Sequence, residues 1–137
     1  MYRCLIANRG EIAVRIIRAC RELNIETVAI YAKGDETSLH VSLADQAICI
    51  GEANPLDSYL NIDRIISAAK VTESNAIHPG YGFLSESTNF AKAVEDNHIH
   101  FIGPSKTTME MMGDKITARQ TVKQAGVPVI PGSNDAV

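Results

Sequence analysis

The sequence predicts an α/β protein built on a Rossmann-like, doubly wound parallel sheet. Runs of about four or five apolar residues alternate with helical patterns about a dozen residues long, which is typical of βαβ units. The runs are apolar throughout, as in strands buried on both faces. Right-handed crossovers then favour the doubly wound arrangement. The chain has 137 residues, which suits one domain and leaves little room for two.

Each predicted element follows from a local pattern. The apolar runs predict strands over residues 4–7, 27–31, 47–50, 75–78 and 100–102. Apolar residues at helical spacing predict helices over 11–23 and 62–69, a short helix over 38–45, and a helix ending near Asn97. Two of these helices have a typical cap, a residue whose side-chain oxygen accepts a free N–H group: Asn61 before the 62–69 helix, and Ser85 or Ser87 before the helix that ends near Asn97.

The C-terminal part continues this pattern. A brief helix carries Met109 and Met112, and a longer one runs from Asp114 until Gly126 and Pro128 stop it.

Composition excludes several classes of protein. The 45% hydrophobic and 21% charged residues are ordinary for a packed chain. No apolar run approaches the roughly 18 residues of a membrane span, and the first is too short for a secretory signal. Cys4, Cys20 and Cys49 are too few and too far apart for a disulfide framework, so we expect buried, reduced thiols in a cytoplasmic protein. A net charge of −3 with 5% aromatic residues gives no support to nucleic-acid binding.

Charge is concentrated near the N-terminus. Residues 1–24 hold five arginines and two glutamates, a net charge of +3, so the remainder carries −6. Arg15, Arg18 and Glu22 share one face of the first helix, and Arg18 can pair with Glu22 four residues on. These residues are either solvated or form a self-complementary contact in a two-fold dimer.

Two loops at predicted carboxyl ends of strands, where open α/β sheets bind ligands, are candidate sites. Residues 7–11 place a glycine before a helix, which suits an anion, but Glu11 and the lack of further glycines favour a purely structural turn. In the second loop Gly80 and Gly82 flank Tyr81, which is either a flat ring for a planar ligand or part of a rigid turn. The residues alone leave these two interpretations of the second loop about even.

A third candidate is Lys115, in the first turn of the last predicted helix, where the helix dipole disfavours a cation. Lysine there suits a polyphosphate, although a solvated side chain neutralised by Asp114 is the simpler interpretation. His98 and His100 lack a third ligand nearby in sequence, so no metal site is predicted.

Six segments together resemble a known family. They are, in order, IANRGEIAVRIIRAC, SYLNIDRIISAA, AIHPGYGFLSE, FIGPS, MGDK and AGVPVIPGS. Their order and content are similar to the N-terminal domain of biotin carboxylases, and the resemblance covers essentially the whole chain. It implies a pre-ATP-grasp domain over residues 1–112 and the start of the ATP-grasp region over 113–137.

The resemblance also implies a reaction and residue roles. MgATP and bicarbonate form carboxyphosphate, whose CO₂ is transferred to N1 of biotin on a carrier protein. Lys115 is expected to bind ATP, Tyr81 and Gly82 to lie near biotin, and Arg15, Arg18 and Glu22 to form a homodimer interface. No catalytic or metal-binding residue is expected in this chain, and the 137 residues alone are expected to be inactive, because one lysine cannot stabilise the transferring charge.

The implied partners are the biotin carboxyl carrier protein and a carboxyltransferase, with no nucleic acid or membrane. Acetyl-CoA carboxylase, acting in fatty acid synthesis, is the first expectation for the parent enzyme, and pyruvate or another acyl-CoA carboxylase is the alternative. Two other hypotheses remain: a non-catalytic dimerisation module, and an NAD-dependent enzyme. The second is disfavoured because the first turn lacks GxGxxG and Tyr31-Ala32-Lys33 ends the second strand without an acidic residue.

Overall fold

Five parallel strands form one sheet in the order β3-β2-β1-β4-β5. A computed structural model describes residues 1–104, of which Met1–Gly103 form one compact unit. The elements in chain order are β1 Arg3–Ile6, α1 Gly10–Glu22, β2 Glu26–Ala32, α2 Leu39–Leu43, β3 Gln46–Gly51, a 3₁₀ turn Pro55–Asp57, α3 Ile62–Val71, β4 Ala76–His78, α4 Thr88–Asp96 and β5 His100–Phe101. The predicted α/β class and Rossmann-like parallel sheet are confirmed.

The strand order creates a switch point beside β1. The chain moves outward from β1 to β2 and β3, then returns to the other side of β1 for β4 and β5. Helices α1 and α2 pack against each other, and so do α3 and α4, as two right-handed crossover layers require. The loops that follow β1 and β4 therefore meet at the carboxyl ends of these strands, the position at which open α/β sheets bind ligands.

The core is centred on β1, which pairs with a strand on each side. Leu5 is fully buried between Val28 of β2 and Ile77 of β4 in the register of the sheet. Ile17 of α1 is also fully buried, in a cluster that includes Ile6 of β1. Each such side chain contributes about 1.5–3 kcal/mol by leaving water, so β1 is a rigid support for the loops at its ends.

Helix caps and boundaries largely follow the predictions. The Asn61 side chain accepts the Arg64 N–H at 3.1 Å, and Ser87, the second of the two predicted candidates, accepts the Phe90 N–H at 3.2 Å. The short second helix is present as Leu39–Leu43. The first strand begins and ends one residue earlier than predicted, because Arg3 already pairs with Glu26 and the paired register ends at Ile6.

The cysteine prediction was wrong at one position. Cys4 and Cys20 are buried in the cluster between β1 and α1, as expected, but Cys49 is exposed. Cys49 lies on β3, and an edge strand is less completely covered than a central one.

Three predictions fall outside the described residues: the helices carrying Met109, Met112 and residues 114–125, the domain boundary at 112/113, and Lys115. Across residues 1–104, no helix is long and apolar enough to cross a membrane.

Candidate functional site

The segment His78–Phe83, here called the HPGYGF loop, follows β4 at the switch point and lies against the residues that follow β1. Asn8 makes this connection. It is 4% exposed, and its Nδ2 donates to the Pro79 carbonyl at 3.0 Å and to the Tyr81 carbonyl at 2.6 Å. Because β1 is buried and rigid, these two hydrogen bonds fix the first half of the loop to the sheet.

Gly80 is the residue that lets the loop come this close to Asn8. Its φ of +68° lies in the left-handed region, and a Cβ at this position would stand 2.7 Å from Asn8 Nδ2. Any side chain here would collide with the amide that holds the loop. The glycine is therefore required by both conformation and space.

His78 braces the start of the loop. Its Nδ1 accepts the Gly80 N–H at 3.0 Å, which requires that nitrogen to carry no proton. The side chain is half-buried, and burial lowers the pKa of His78 because the charged imidazolium loses solvation. The environment and the hydrogen bond thus both favour the neutral ring.

The second half of the loop is held by an aromatic cluster, defined as Arg9, Asp35, Tyr59 and Phe83. The Tyr59 and Phe83 rings stack with centroids 5.3 Å apart and planes 12° from parallel. The Arg9 guanidinium carbon lies 5.2 Å from the Tyr59 centroid and 6.0 Å from the Phe83 centroid. These distances are within the range of cation–π attraction.

Tyr59 is fully buried and its hydroxyl is satisfied twice. The hydroxyl donates to Asp35 Oδ2 at 2.7 Å and accepts the Ala32 N–H at 3.0 Å. Burial, followed by the hydrogen bond to Asp35, raises the pKa of Tyr59, so the phenol stays protonated. Arg9 Nη1 lies 3.3 Å from the same Asp35 oxygen. One carboxylate therefore joins the end of β2 to both the arginine and the tyrosine.

Tyr81 and Gly82 stand between these two anchors and face outward. Tyr81 is 66% exposed, and Gly82 is exposed, with no atom within 4 Å of where a Cβ would stand. A flat ring with a hydroxyl, beside open backbone, can contact a planar polar ligand. The assignment of these two residues to biotin stays a prediction.

The first predicted loop is a turn into α1. Gly10 has φ +72° and begins the helix, and Glu11 lies exposed in its first turn. A carboxylate there stabilises the positive end of the helix dipole. The purely structural interpretation accounts for the geometry of this turn.

The α1 face predicted to form a dimer interface is exposed: Arg15, Arg18 and Glu22 all face solvent. The suggested Arg18–Glu22 pair is not among the ion pairs that the structure shows within residues 1–104. The charged ends of these side chains are thus available to a partner. Their role at an interface stays a prediction.

Sequence reasoning missed Tyr59, Asp35 and Arg9 as one unit. Tyr59 follows the 3₁₀ turn without any apolar periodicity, so its burial has no local signal. Its inclusion in the segment SYLNIDRIISAA was the only indication. Over the described residues there is no group of three or more His, Cys, Asp or Glu side chains placed to hold a metal ion.

Comparison with known proteins identifies the family. The family model for the biotin carboxylase N-terminal domain matches residues 1–109. Biotin carboxylase 1 of Bacillus subtilis is 57% identical over 135 residues, which is 98% of this chain and 30% of that protein. Pyruvate carboxylase of the same organism is 54% identical, over 98% of this chain and 12% of that protein.

A solved structure has the same fold. It is the biotin carboxylase domain dimer of the Hydrogenobacter thermophilus 2-oxoglutarate carboxylase, in complex with MgADP, ADP and bicarbonate. It matches with a TM-score of 0.89 at 53% identity, covering 96% of this chain and 29% of that one. The chain thus spans about a third or less of the proteins it is similar to.

Proposed function

Because this chain belongs to the family of biotin carboxylase N-terminal domains, we propose that it forms one wall of a cleft in which biotin is carboxylated. The observation that carries the proposal is the HPGYGF loop, which is anchored at the switch point and exposes Tyr81. In the proposed reaction, a bicarbonate oxygen attacks the γ-phosphoryl group of ATP and ADP leaves. The resulting carboxyphosphate breaks down to CO₂ and phosphate. Biotin N1 then bonds to the carbon of CO₂ and loses its proton to the released phosphate.

We assign binding and positioning, rather than charge stabilisation, to the described residues. Phosphoryl transfer from MgATP needs cations around the transferring group. Residues 1–104 hold no cluster of metal-ligating side chains, and the Arg9 cation near the loop is already paired with Asp35. We therefore place the Mg²⁺-assisted steps outside residues 1–104 and propose Lys115 as a contact to ATP.

The exposed half of the HPGYGF loop suits biotin by shape. The ureido ring of biotin is flat, with polar groups at its edge and an apolar fused ring. The Tyr81 ring offers an apolar face and a hydroxyl, and Gly82 leaves room for close approach. We propose that these two residues line the biotin side of the cleft.

Partners follow from the same proposal. Biotin reaches such a cleft on a carrier protein, and the carboxyl group leaves with it to a carboxyltransferase. A homodimer through Arg15, Arg18 and Glu22 is supported by the exposure of these opposite charges, which a two-fold axis brings face to face. The Hydrogenobacter thermophilus structure contains a dimer of the related domain.

The final acceptor of the carboxyl group is the most specific part of the proposal. We propose acetyl-CoA carboxylase, and hence a role in fatty acid synthesis, from the resemblance that the six sequence segments carry. A separate assay identifies the acceptor. The experiment below is repeated with a biotinylated carrier protein in place of free biotin, and the carboxylated carrier is offered to acetyl-CoA and to pyruvate carboxyltransferases. Turnover with pyruvate alone would select the alternative.

The main test is a chimera in which these 137 residues replace the matching segment of Bacillus subtilis Biotin carboxylase 1. We expect ATP hydrolysis that requires bicarbonate, and transfer of isotope-labelled bicarbonate to free biotin. The unmodified Bacillus enzyme is the control. A folded chimera without either activity contradicts the proposal, and so does carboxylation of biotin by the 137-residue chain alone.

A further inference from the structure

We propose that Tyr59 and Asp35 are positioning residues for biotin: they hold Phe83, and through it the HPGYGF loop, in the conformation that presents Tyr81. The inference rests on the proposed function. Neither residue reaches the exposed face of the loop, because Tyr59 is fully buried and Asp35 is occupied by Tyr59 and Arg9. Their effect on substrate must therefore pass through the loop.

The loop has one anchor on each side of Tyr81. Asn8 holds the backbone carbonyl of Tyr81 itself from the side of β1. Phe83, two residues later, stacks on Tyr59. With the Tyr81 carbonyl and the Phe83 ring both held, the Tyr81 ring is exposed on a backbone that has little freedom.

Phe83 needs such an anchor because its own backbone is strained. Its φ of +41° lies in the left-handed region, which a non-glycine residue adopts at a cost of about 1 kcal/mol or more. The strain persists only where contacts offset it. The stack on Tyr59, with the Arg9 cation near both rings, is the contact that the structure provides.

Tyr59 can act as an anchor because its position is fixed at the other end of the ring. Its hydroxyl accepts the Ala32 N–H at the end of β2 and donates to Asp35 Oδ2. Contacts thus connect β2 through Tyr59 to the loop after β4. Arg9, which follows β1, joins them through Asp35 and the Tyr59 ring.

A positioning role predicts a substrate-selective effect. Loss of the stack releases the second half of the loop and misplaces Tyr81, so kcat/KM for biotin falls while KM for ATP stays unchanged. Small misplacements of positioning groups cost about ten- to a hundredfold in rate. A purely structural role would instead lower thermal stability and affect both substrates alike.

The kinetic experiment uses the chimera with Tyr59→Leu, which removes the stack and the hydroxyl, and Tyr59→Phe, which keeps the ring. We expect about a tenfold or greater loss of kcat/KM for biotin in Tyr59→Leu, and about fivefold or less in Tyr59→Phe, which keeps the stack and loses only the two hydrogen bonds of the hydroxyl. Phe101→Leu is the matched control: Phe101 is also a buried aromatic residue, but it packs edge-to-face on Phe90 and is not part of the aromatic cluster. It should lower stability with the biotin-to-ATP ratio unchanged.

A second readout does not depend on activity. In the 137-residue chain, the amide NMR signals of Gly80 and Gly82 should move in Tyr59→Leu and remain in place in Phe101→Leu. Unmoved loop signals overturn the inference, as does an equal rise in both Michaelis constants. An inactive parental chimera with loop signals that still respond to Tyr59→Leu would instead contradict the proposed function and leave the positioning of the loop supported.

Discussion

An arginine–carboxylate pair lies at each end of the sheet, and the two pairs differ in what surrounds them. At the amino ends, Arg3 of β1 contacts Glu26 of β2 through Nε at 3.1 Å and Nη2 at 2.8 Å, and also donates to the Thr72 carbonyl. At the carboxyl ends, Arg9 contacts Asp35 at a single distance of 3.3 Å. The first pair only joins backbone segments, whereas the second is shared with two aromatic rings beneath an exposed loop.

This difference distinguishes a polar pair that only stabilises the fold from one that lies at the candidate site. Arg3 and Glu26 are 22% and 26% exposed, and their groups are consumed by fixed partners. Arg9 is 46% exposed, and its neighbours include a strained backbone and two glycines with positive φ. Strain and open backbone beside a satisfied cluster are typical of a site that holds a ligand.

The largest expected effect comes from Gly80→Ala, which changes the HPGYGF loop itself. Its Cβ would meet Asn8 Nδ2 at 2.7 Å in a left-handed conformation, so we expect the free energy of unfolding to fall by about 2–3 kcal/mol. Urea unfolding of the 137-residue chain measures it.

Gly82→Ala is the matched control for this substitution. Gly82 has nearly the same φ, +67°, but nothing lies within 4 Å of the added Cβ. We expect only the conformational cost, about 1 kcal/mol. Equal losses in the two variants would show that the approach of Asn8 does not limit the loop.

A smaller effect distinguishes the two arginines. Arg3→Met leaves Glu26 partly buried without its partner, so we expect the free energy of unfolding to fall by about 1–2 kcal/mol. The amide NMR signal of Gly82 should not move. Arg9→Met removes a more exposed pair and a cation–π contact, so we expect about 0.5–1 kcal/mol, yet the Gly82 amide signal should move. Urea unfolding and amide NMR on the same samples measure both quantities.

The reverse pattern would contradict the comparison. If Arg3→Met moved the HPGYGF loop signals and Arg9→Met did not, the carboxyl-end pair would be no more connected to the loop than the pair at the amino ends.

Sequence reasoning reached the sheet and the loop because both depend on local patterns. Continuous apolar runs reveal buried strands, and Gly80 with Gly82 reveals a turn that approaches another group. The aromatic cluster could not be found this way, because Asp35, Tyr59 and Phe83 come from separate loops that only the tertiary fold brings together. Likewise, the exposure of Cys49 depends on which strand lies at the sheet edge, and apolar pattern alone does not decide that.

The smallest expected effect is a pH dependence at the start of the same loop. Burial lowers the pKa of His78 below its ordinary value of 6.5, so the unfolded chain binds the proton more tightly than the folded one. The contribution of His78 to stability is therefore complete above pH 6.5 and is lost as pH falls through the lowered pKa. Protonation of Nδ1 also removes the acceptor for the Gly80 N–H, so the Gly80 amide signal should shift over the same interval.

His78→Asn sharpens this prediction because its side-chain oxygen can accept the Gly80 N–H but does not titrate. We expect the Gly80 signal to be independent of pH in the variant, and the difference in unfolding free energy between parent and variant to change only below pH 6.5. The remaining histidines titrate in both proteins, so they cancel in this difference. A Gly80 shift that survives in His78→Asn would assign the pH response to another group, and the carboxyl-end loop would then lack a proton-sensitive brace at His78.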